Sequence, residues 1–195
     1  MKINSDLFKI KSNNVAPQKG RILIAEPFLP GSYFNRSIIF LVEHNAQGSV
    51  GFILNKKVDF DIERFSEEFP KYKGDIFLGG PVNIESLYYI HSLGNAIPNS
   101  IHINDNLYWG GNVDVLKQMV DQEVANEKNV RFFLGYSGWD KGQLSDELTD
   151  DSWLVSDISP SMVLAPTPQL WKHMVRKQGG KYILWENFPE NPGMN

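Results

Sequence analysis

Short apolar runs separated by Gly, Pro and polar residues characterise the chain after residue 20. Residues 21–25 and 37–42 are rich in Ile, Leu and Phe and are too short for typical helices, so they predict buried strands. Residues 50–54 follow after the polar segment 44–48, which predicts a β-hairpin with Gly48 at positive φ. Further strands are predicted at residues 75–78, 87–91, 130–135 and 153–156.

Apolar residues at helical spacing predict four helices. Asn112 is suited to cap one of them, and Thr167 followed by a proline is suited to cap the last, which Gly179 would end. The predicted segments are residues 61–69, 113–127, 143–149 and 168–178. Helices placed irregularly among hairpins indicate an α+β fold rather than regular βαβ winding.

The chain shows no linker-like tract, and this predicts one compact domain. We expect residues 1–19 to be a flexible polar leader, residues 20–186 the domain, and residues 187–195 a C-terminal tail. The length of 195 residues is enough for one hydrophobic core without a metal or disulfide.

Composition removes several kinds of chemistry. The chain has no Cys, which excludes disulfides, thiolate zinc sites, iron–sulfur clusters and Cys nucleophiles. The four His lack metal-ligand spacing, and no phosphate-binding glycine motif occurs, so we expect neither a metal nor a cofactor. A net charge of −4 argues against a broad nucleic-acid surface. The longest apolar run is too short to span a membrane, and we expect a cytoplasmic protein.

Residues 135–139 have the sequence GYSGW and come close to the G-x-S-x-G pattern of a nucleophile elbow. Trp139 replaces the second small residue, and its bulk would crowd the strained turn on which the elbow depends. The favoured interpretation is a tight strand-to-helix turn in which Ser137 acts as a cap rather than as a nucleophile.

Polar residues cluster around the predicted hairpin. Glu43, His44 and Asn45 would lie at one end of the sheet and Arg36 toward the other. Two interpretations stay open. His44 and Asn45 satisfy backbone groups of the turn, or His44 acts as a general base oriented by Glu43 while Arg36 holds an anion.

Glycines lie at several positions where the backbone is expected to turn sharply or pack closely. Gly79 and Gly80 allow a sharp reversal, a close backbone approach or a cradle for a ligand. Gly51 lies inside an apolar strand, which predicts that a neighbour leaves no room for a Cβ atom there. The aromatic residues, Tyr136 and Trp139 among them, could line a groove but alternate as core residues do.

Several ordered motifs resemble the YqgE/AlgH family of bacterial proteins. They are the segments GRILIA at residues 20–25, FNRS at 34–37, EHNAQGSVGFILN at 43–55, FLGGPV at 77–82, IHS at 90–92 and GYSGW at 135–139 followed by GQL and Glu147. The resemblance covers about residues 20–155, and the tail resembles that of Bacteroidetes members.

This resemblance implies an α+β fold with a bifurcated, largely antiparallel β-sheet wrapped into a partly open pseudo-barrel and helices packed outside. The family bears the label of transcriptional regulator, but the resemblance carries over no catalytic residue, and the sequence shows no helix-turn-helix. We therefore expect a non-enzymatic binding or regulatory protein that does not bind DNA directly.

The expected partner is a protein or a small molecule, and the expected assembly is a monomer or a weak oligomer. The candidate binding residues are Arg36, Glu43, His44, Asn45, Gly79, Gly80, Tyr136, Ser137 and Trp139. The alternative is a small-molecule enzyme that uses the Glu43, His44 and Arg36 cluster.

Overall fold

The computed structural model describes residues 11–29, 31–59, 63–167 and 169–188. The strands are β1 (Arg21–Ala25), β2 (Ile38–Asn45), β3 (Gly48–Ile53), β4 (Ile76–Leu78), β5 (Val82–His91), β6 (Ile101–Asn104), β7 (Leu107–Trp109), β8 (Val130–Asp140) and β9 (Trp153–Asp157). The helices are α1 (Glu63–Glu68), α2 (Val113–Asp121), α3 (Gln143–Thr149), α4 (Pro160–Leu164) and α5 (Leu170–Gln178), with short 3₁₀ segments at Gly94–Ala96 and Gly180–Asn187.

The nine strands form one sheet in the order β6-β7-β5-β8-β3-β2-β1-β9, with β4 paired to β8 beside this path. Every pair is antiparallel except β4 with β8, which is parallel. The strands β6 and β9 stand at the two ends of the order, and the sheet is not closed into a barrel. The predicted α+β class is thus confirmed.

Strand β8 belongs to both halves of the sheet. Its first residues pair with β5 and also with β4. Its last residues pair with β3, with Gly51 opposite Ser137 and Gly48 opposite Asp140. The path of β8 therefore connects the hairpin of β2 and β3 to the part of the molecule that contains β4 to β7.

Three apolar clusters hold the helices against the sheet. The largest joins β1, β2 and β3 to α5 and the 3₁₀ segment Gly180–Asn187. The second places Leu144 of α3 against Ile39 and Trp153. The third packs Phe69 and the α2 residue Leu116 against Phe132 of β8. Helices consequently cover both faces, and burial of these side chains supplies the main drive for folding.

Most predicted elements are confirmed, with the ends of β1 and α3 as predicted, but the ends of several others differ. The strand predicted at residues 37–42 extends to Asn45, so that only residues 46 and 47 form the turn. The helix predicted to reach residue 127 ends at Asp121. Its cap is confirmed, because the Asn112 side chain accepts a hydrogen bond from the Val115 N–H at 3.1 Å.

Three further elements differ from their predictions. Thr167 does not cap α5, which begins at Leu170 with Gln169 at its N-cap. Strands β6 and β7 and helix α4 were not predicted at all, because each is shorter than the window in which hydrophobic periodicity is informative. Residues 61 and 62 of the first predicted helix lie outside the described residues.

The N-terminal segment contacts the outer edge of β9. The Asn13 side chain donates to the Val155 carbonyl oxygen at 2.7 Å and accepts from the Val155 N–H at 3.2 Å. The Ser12 N–H donates to Asp151 Oδ1 at 2.6 Å. Hydrogen bonds at an open strand edge reduce the risk of edge-to-edge association. The domain boundary expected at residue 20 stays a prediction.

Within the ranges that the structure describes, no helix combines the length and apolar character needed to cross a lipid bilayer.

His91 is fully buried at the end of β5. Its Nδ1 accepts from the Leu93 N–H at 3.3 Å, so Nε2 carries the proton and donates toward the Gly110 carbonyl oxygen at 3.1 Å. The ring stacks on Tyr108 with centroids 5.8 Å apart. Burial lowers the pKa of His91 below its usual value of 6.5, and the imidazole is neutral in the folded protein at neutral pH.

We expect the free energy of unfolding to decrease as the pH falls below about 6.5, because the unfolded chain then binds a proton that folded His91 does not. Denaturant unfolding at several pH values measures this. His91→Phe keeps the stacked ring and should lose this part of the pH dependence, whereas His102→Gln at an exposed site should keep it. Equal pH dependence in wild type and His91→Phe would contradict the assignment.

Gly51 is crowded, in agreement with the sequence-based expectation. A Cβ atom there would lie 2.7 Å from Ile39 Cγ2 and 2.9 Å from the Phe40 carbonyl oxygen. We expect Gly51→Val to destabilise the fold by about 2–3 kcal/mol, since an overpacked core shifts backbone and side chains. Gly138→Ala is the control, because its Cβ would meet only the Tyr136 ring. Chemical unfolding of both variants measures the difference, and an unchanged Gly51→Val would disprove crowding.

Candidate functional site

The turn between β2 and β3 presents Glu43, His44 and Asn45 near the end of the sheet. The Asn45 Oδ1 atom accepts from the Gln47 N–H at 2.8 Å, which closes the turn. His44 lies opposite Ser49, and its Nδ1 is 2.8 Å from the Ser49 Oγ. Glu43 is half-buried and forms no ion pair with any residue of the described ranges. Asn45 therefore supports the turn, whereas Glu43 keeps an accessible charge.

Arg36 lies at the other end of β2. It adopts a φ of +49°, its guanidinium carbon is 4.9 Å from the centre of the Trp171 ring, and it donates to the Phe188 carbonyl oxygen. Arg36 precedes β2 by two residues, and the six residue steps from Ile38 to His44 alone span about 20 Å in an extended strand. The structure therefore places Glu43, His44 and Asn45 in succession at one end of β2, but the Glu43 and His44 side chains point to opposite faces of the strand, and Arg36 lies beyond its other end.

The prediction of a strand-to-helix turn at residues 135–139 is wrong. All five residues lie inside β8, which continues to Asp140. Ser137 is fully buried and donates to the Gly79 carbonyl oxygen at 3.1 Å, so it is not a helix cap. Gly135 has a φ of +64°, which bends the strand at this point without ending it.

Gly79 and Gly80 are buried against the backbone of β8. A Cβ atom on Gly79 would lie 2.2 Å from the Gly135 carbonyl oxygen, and one on Gly80 would lie 2.3 Å from the Tyr136 carbonyl carbon. The Gly79 N–H donates to the Leu134 carbonyl oxygen at 2.7 Å, and its own carbonyl accepts from the Ile53 N–H at 2.9 Å. Close backbone packing thus explains these glycines.

Trp139 is part of the interior beside α3. Its indole N–H donates to Glu147 Oε2 at 2.8 Å, and the Trp153 indole N–H donates to the same oxygen at 2.7 Å. The Gln143 amide donates to Glu147 Oε1 at 3.1 Å. Glu147 therefore joins α3 to two strands, and Trp139 serves this junction rather than an open groove.

Tyr136 is half-buried, and its ring meets that of Tyr88 edge to face with centroids 5.6 Å apart. Val82 and Ile84, which are both exposed, lie in the strand that pairs with this part of β8. Of the candidate residues away from the turn, Tyr136 and Arg36 are half-buried and the others are buried.

Sequence reasoning missed Arg131. This residue sits within the apolar run of β8 with only 2% of its surface exposed. A single cation inside a run of Val, Phe and Leu is an unusual pattern, because charged residues are rarely buried without a partner. This pattern in the sequence is the feature that could have identified Arg131 as a candidate functional residue.

Comparison with known proteins agrees with the sequence motifs. A family model described as AlgH-like matches residues 22–183. A UPF0301 protein of Parabacteroides distasonis is 44% identical over 193 residues and aligns over 97% of this chain and 98% of its own. Another, from Bacteroides thetaiotaomicron, is 42% identical over the whole of both chains. The chain belongs to the AlgH-like (UPF0301) family, and these relatives agree with the Bacteroidetes resemblance of the tail.

Two solved structures share the fold. The solution structure of the AlgH protein from Pseudomonas aeruginosa matches with a TM-score of 0.68 at 26% identity, over 91% of this chain and 98% of that one. The crystal structure of a Corynebacterium diphtheriae protein matches with a TM-score of 0.71 at 24% identity, over 96% of this chain and 100% of that one. The match to the Corynebacterium diphtheriae structure, at 24% identity, shows only that the two proteins share a fold.

We expect Glu147→Ala to destabilise the protein by about 2–4 kcal/mol, because two indole N–H groups of largely buried rings lose a charged acceptor. Glu147→Gln should cost less, since its amide oxygen still accepts. Asp146→Ala changes an exposed carboxylate on the same helix and should cost less than about 0.5 kcal/mol. Chemical unfolding measures all three. Equal losses for Asp146→Ala and Glu147→Ala would contradict this role of Glu147.

Proposed function

We propose that this AlgH-like protein is a binding protein that recognises a partner protein through the acidic turn surface. This surface consists of the β2–β3 turn with Glu43, the end of β8 with Asp140, and the start of α3 with Asp146. The observation that carries the proposal is that these three carboxylates form no ion pair within the described part of the chain, not even with the exposed Lys141 between Asp140 and α3. Unpaired charges on rigid elements favour a partner of opposite charge.

The register of the sheet supports one continuous surface. Glu43 lies opposite Val50, and Val50 lies opposite Gly138, two residues before Asp140. Two strand spacings of about 4.8 Å and two residues of about 3.4 Å place Asp140 about 12 Å from Glu43, a distance that one basic segment of a partner can cover. The partner is therefore expected to present Lys or Arg side chains.

The shape of the turn favours a macromolecule over a small molecule. Residues 45–47 are exposed and project from the hairpin, whereas small-molecule sites are concave. Gly79, Gly80, Ser137 and Trp139 are not part of the proposed surface, because their contacts lie inside the fold.

The enzyme alternative is less well supported. It combines His44 with Glu43 and Arg36, and Arg36 lies at the far end of β2. The contact between His44 and Ser49 is the observation in its favour, but Ser49 is 5% exposed and faces His44 as a cross-strand neighbour. Such a pair stabilises a hairpin without any further role.

We also propose that the regulator label of the family reflects an indirect action through a partner protein. The acidic turn surface would repel DNA phosphates, and direct DNA binding needs clustered Lys and Arg.

The division of the sheet at β8 supports, in addition, the bifurcated, partly open pseudo-barrel that the family resemblance implies.

The test is capture of partners from native lysate with wild type and with the double variant Glu43→Gln/Asp140→Asn. We expect a captured protein that the double variant loses and that raised salt releases, because the contact is electrostatic. The double variant Asp105→Asn/Asp121→Asn is the matched control, since it removes two exposed carboxylates outside the acidic turn surface.

The variants should unfold within about 0.5 kcal/mol of wild type, as surface changes usually do. Undiminished capture by a folded Glu43→Gln/Asp140→Asn variant would reject this surface. Equal loss with Asp105→Asn/Asp121→Asn would show an effect of net charge instead of recognition.

A further inference from the structure

A cavity of about 300 Å³ lies beside the start of β8, away from the acidic turn surface. Its walls come from the loop before β4, from β4, from the loop before β8, from β8 and from the end of α4 with the residues after it. The charged and aromatic lining residues are Tyr72, Lys73, Asp75, Phe77, Glu127 and Arg131. A neighbouring cavity of about 480 Å³ shares Tyr72, Lys73 and Asp75 with it. This volume suits a small ligand.

Arg131 provides a buried cation in this cavity. Its Nη1 donates to the Val163 carbonyl oxygen at 2.7 Å, and its Nη2 donates to the Leu54 carbonyl oxygen. The guanidinium carbon lies 3.7 Å from the centre of the Phe77 ring. Burial lowers the pKa of Arg131 to about 9, so the group remains charged at neutral pH.

No carboxylate of the described residues forms an ion pair with Arg131, and its buried Nε has no hydrogen-bond partner among them. A guanidinium has five N–H donors, of which the two carbonyl contacts use two. Asp75 acts on Arg131 only through space, without contact. A buried charge without a contacting counter-charge is costly, so a carboxylate that enters the cavity gains both an ion pair and hydrogen bonds.

The other charged residues that line the cavity determine which kind of anion fits beside Arg131. Lys73 adds a second positive charge, whereas Asp75 and Glu127 add two negative charges at the exposed rim, and Asp75 is paired with Lys57 at 2.7 Å. The formal charge of the lining is thus zero. Because the lining presents charges of both signs, a molecule with one negative and one positive group matches both parts.

We propose that this cavity binds a small zwitterion with one carboxylate and one ammonium group, the chemical class of free amino acids. The carboxylate lies at Arg131, and the ammonium group lies toward Glu127. The rings of Tyr72 and Phe77 provide apolar walls for a side chain. This site is separate from the acidic turn surface and does not depend on the partner proposed for it.

The test measures binding of the twenty amino acids to the full chain, one at a time, by thermal shift and then by calorimetry. Acetate, methylammonium and inorganic phosphate at equal concentration serve as comparison probes. We expect at least one amino acid to raise the unfolding temperature with saturation, because a ligand specific for the folded state stabilises it. Amide NMR shifts should be confined to residues around the cavity, such as Gly74, Glu127 and Ala165.

Glu127→Gln should weaken binding about tenfold, as loss of one charge-assisted contact does, while Glu67→Gln, an exposed carboxylate of α1 that does not line the cavity, should bind as wild type does. Arg131→Met should abolish binding, and if that variant does not fold, Glu127→Gln decides. Absence of any saturable amino-acid binding, equal binding of phosphate or acetate, or an unchanged affinity of Glu127→Gln would each overturn the proposal.

Discussion

The close backbone contact between Gly79–Gly80 and β8 is the constraint on which the arrangement of the sheet depends. The Gly79 carbonyl oxygen accepts from Ile53 and Ser137, and its N–H donates to Leu134, so this one residue connects β3, β4 and β8. No other residue type fits at a distance of 2.2 Å from the Gly135 carbonyl oxygen. Because β8 pairs with β4 and β3 in succession, both halves of the sheet depend on this contact.

Two charged residues tie the periphery to this framework. Glu147 holds α3 against β8 and β9 through the Trp139 and Trp153 indoles. Arg131 holds α4 and the residue that follows β3, through the carbonyl oxygens of Val163 and Leu54. Glu147 has its donors within the described residues, whereas Arg131 has only neutral acceptors there. The charge of Glu147 is thus stabilised by its hydrogen-bond donors, whereas the charge of Arg131 has no contacting counter-charge in the described part of the chain. For this reason Arg131, and not Glu147, is the centre of the proposed ligand site.

Local chemistry explains which parts of the fold were predictable. The strand Arg21–Ala25 and the helix cap at Asn112 depend on neighbouring residues only, and both were predicted correctly. The end of α2 and the course of residues 135–139 depend on contacts between distant segments. Residues 135–139 contain Gly and Ser and look like a turn, yet pairing with β3 and β5 keeps them within β8, which only bends at Gly135. Tertiary pairing thus overrides local preference there.

The sequence by itself determined the α+β class, the hairpin of β2 and β3 and the family, because each follows from local pattern or ordered motifs. It also placed Arg36 and His44 at opposite ends of one strand, since a strand extends by a constant rise per residue. Only the tertiary structure decided that Ser137 and Trp139 lie inside and that Arg131 lines a cavity. Burial and charge compensation depend on contacts between segments that are far apart in the chain. The local sequence pattern does not show which of these segments come into contact.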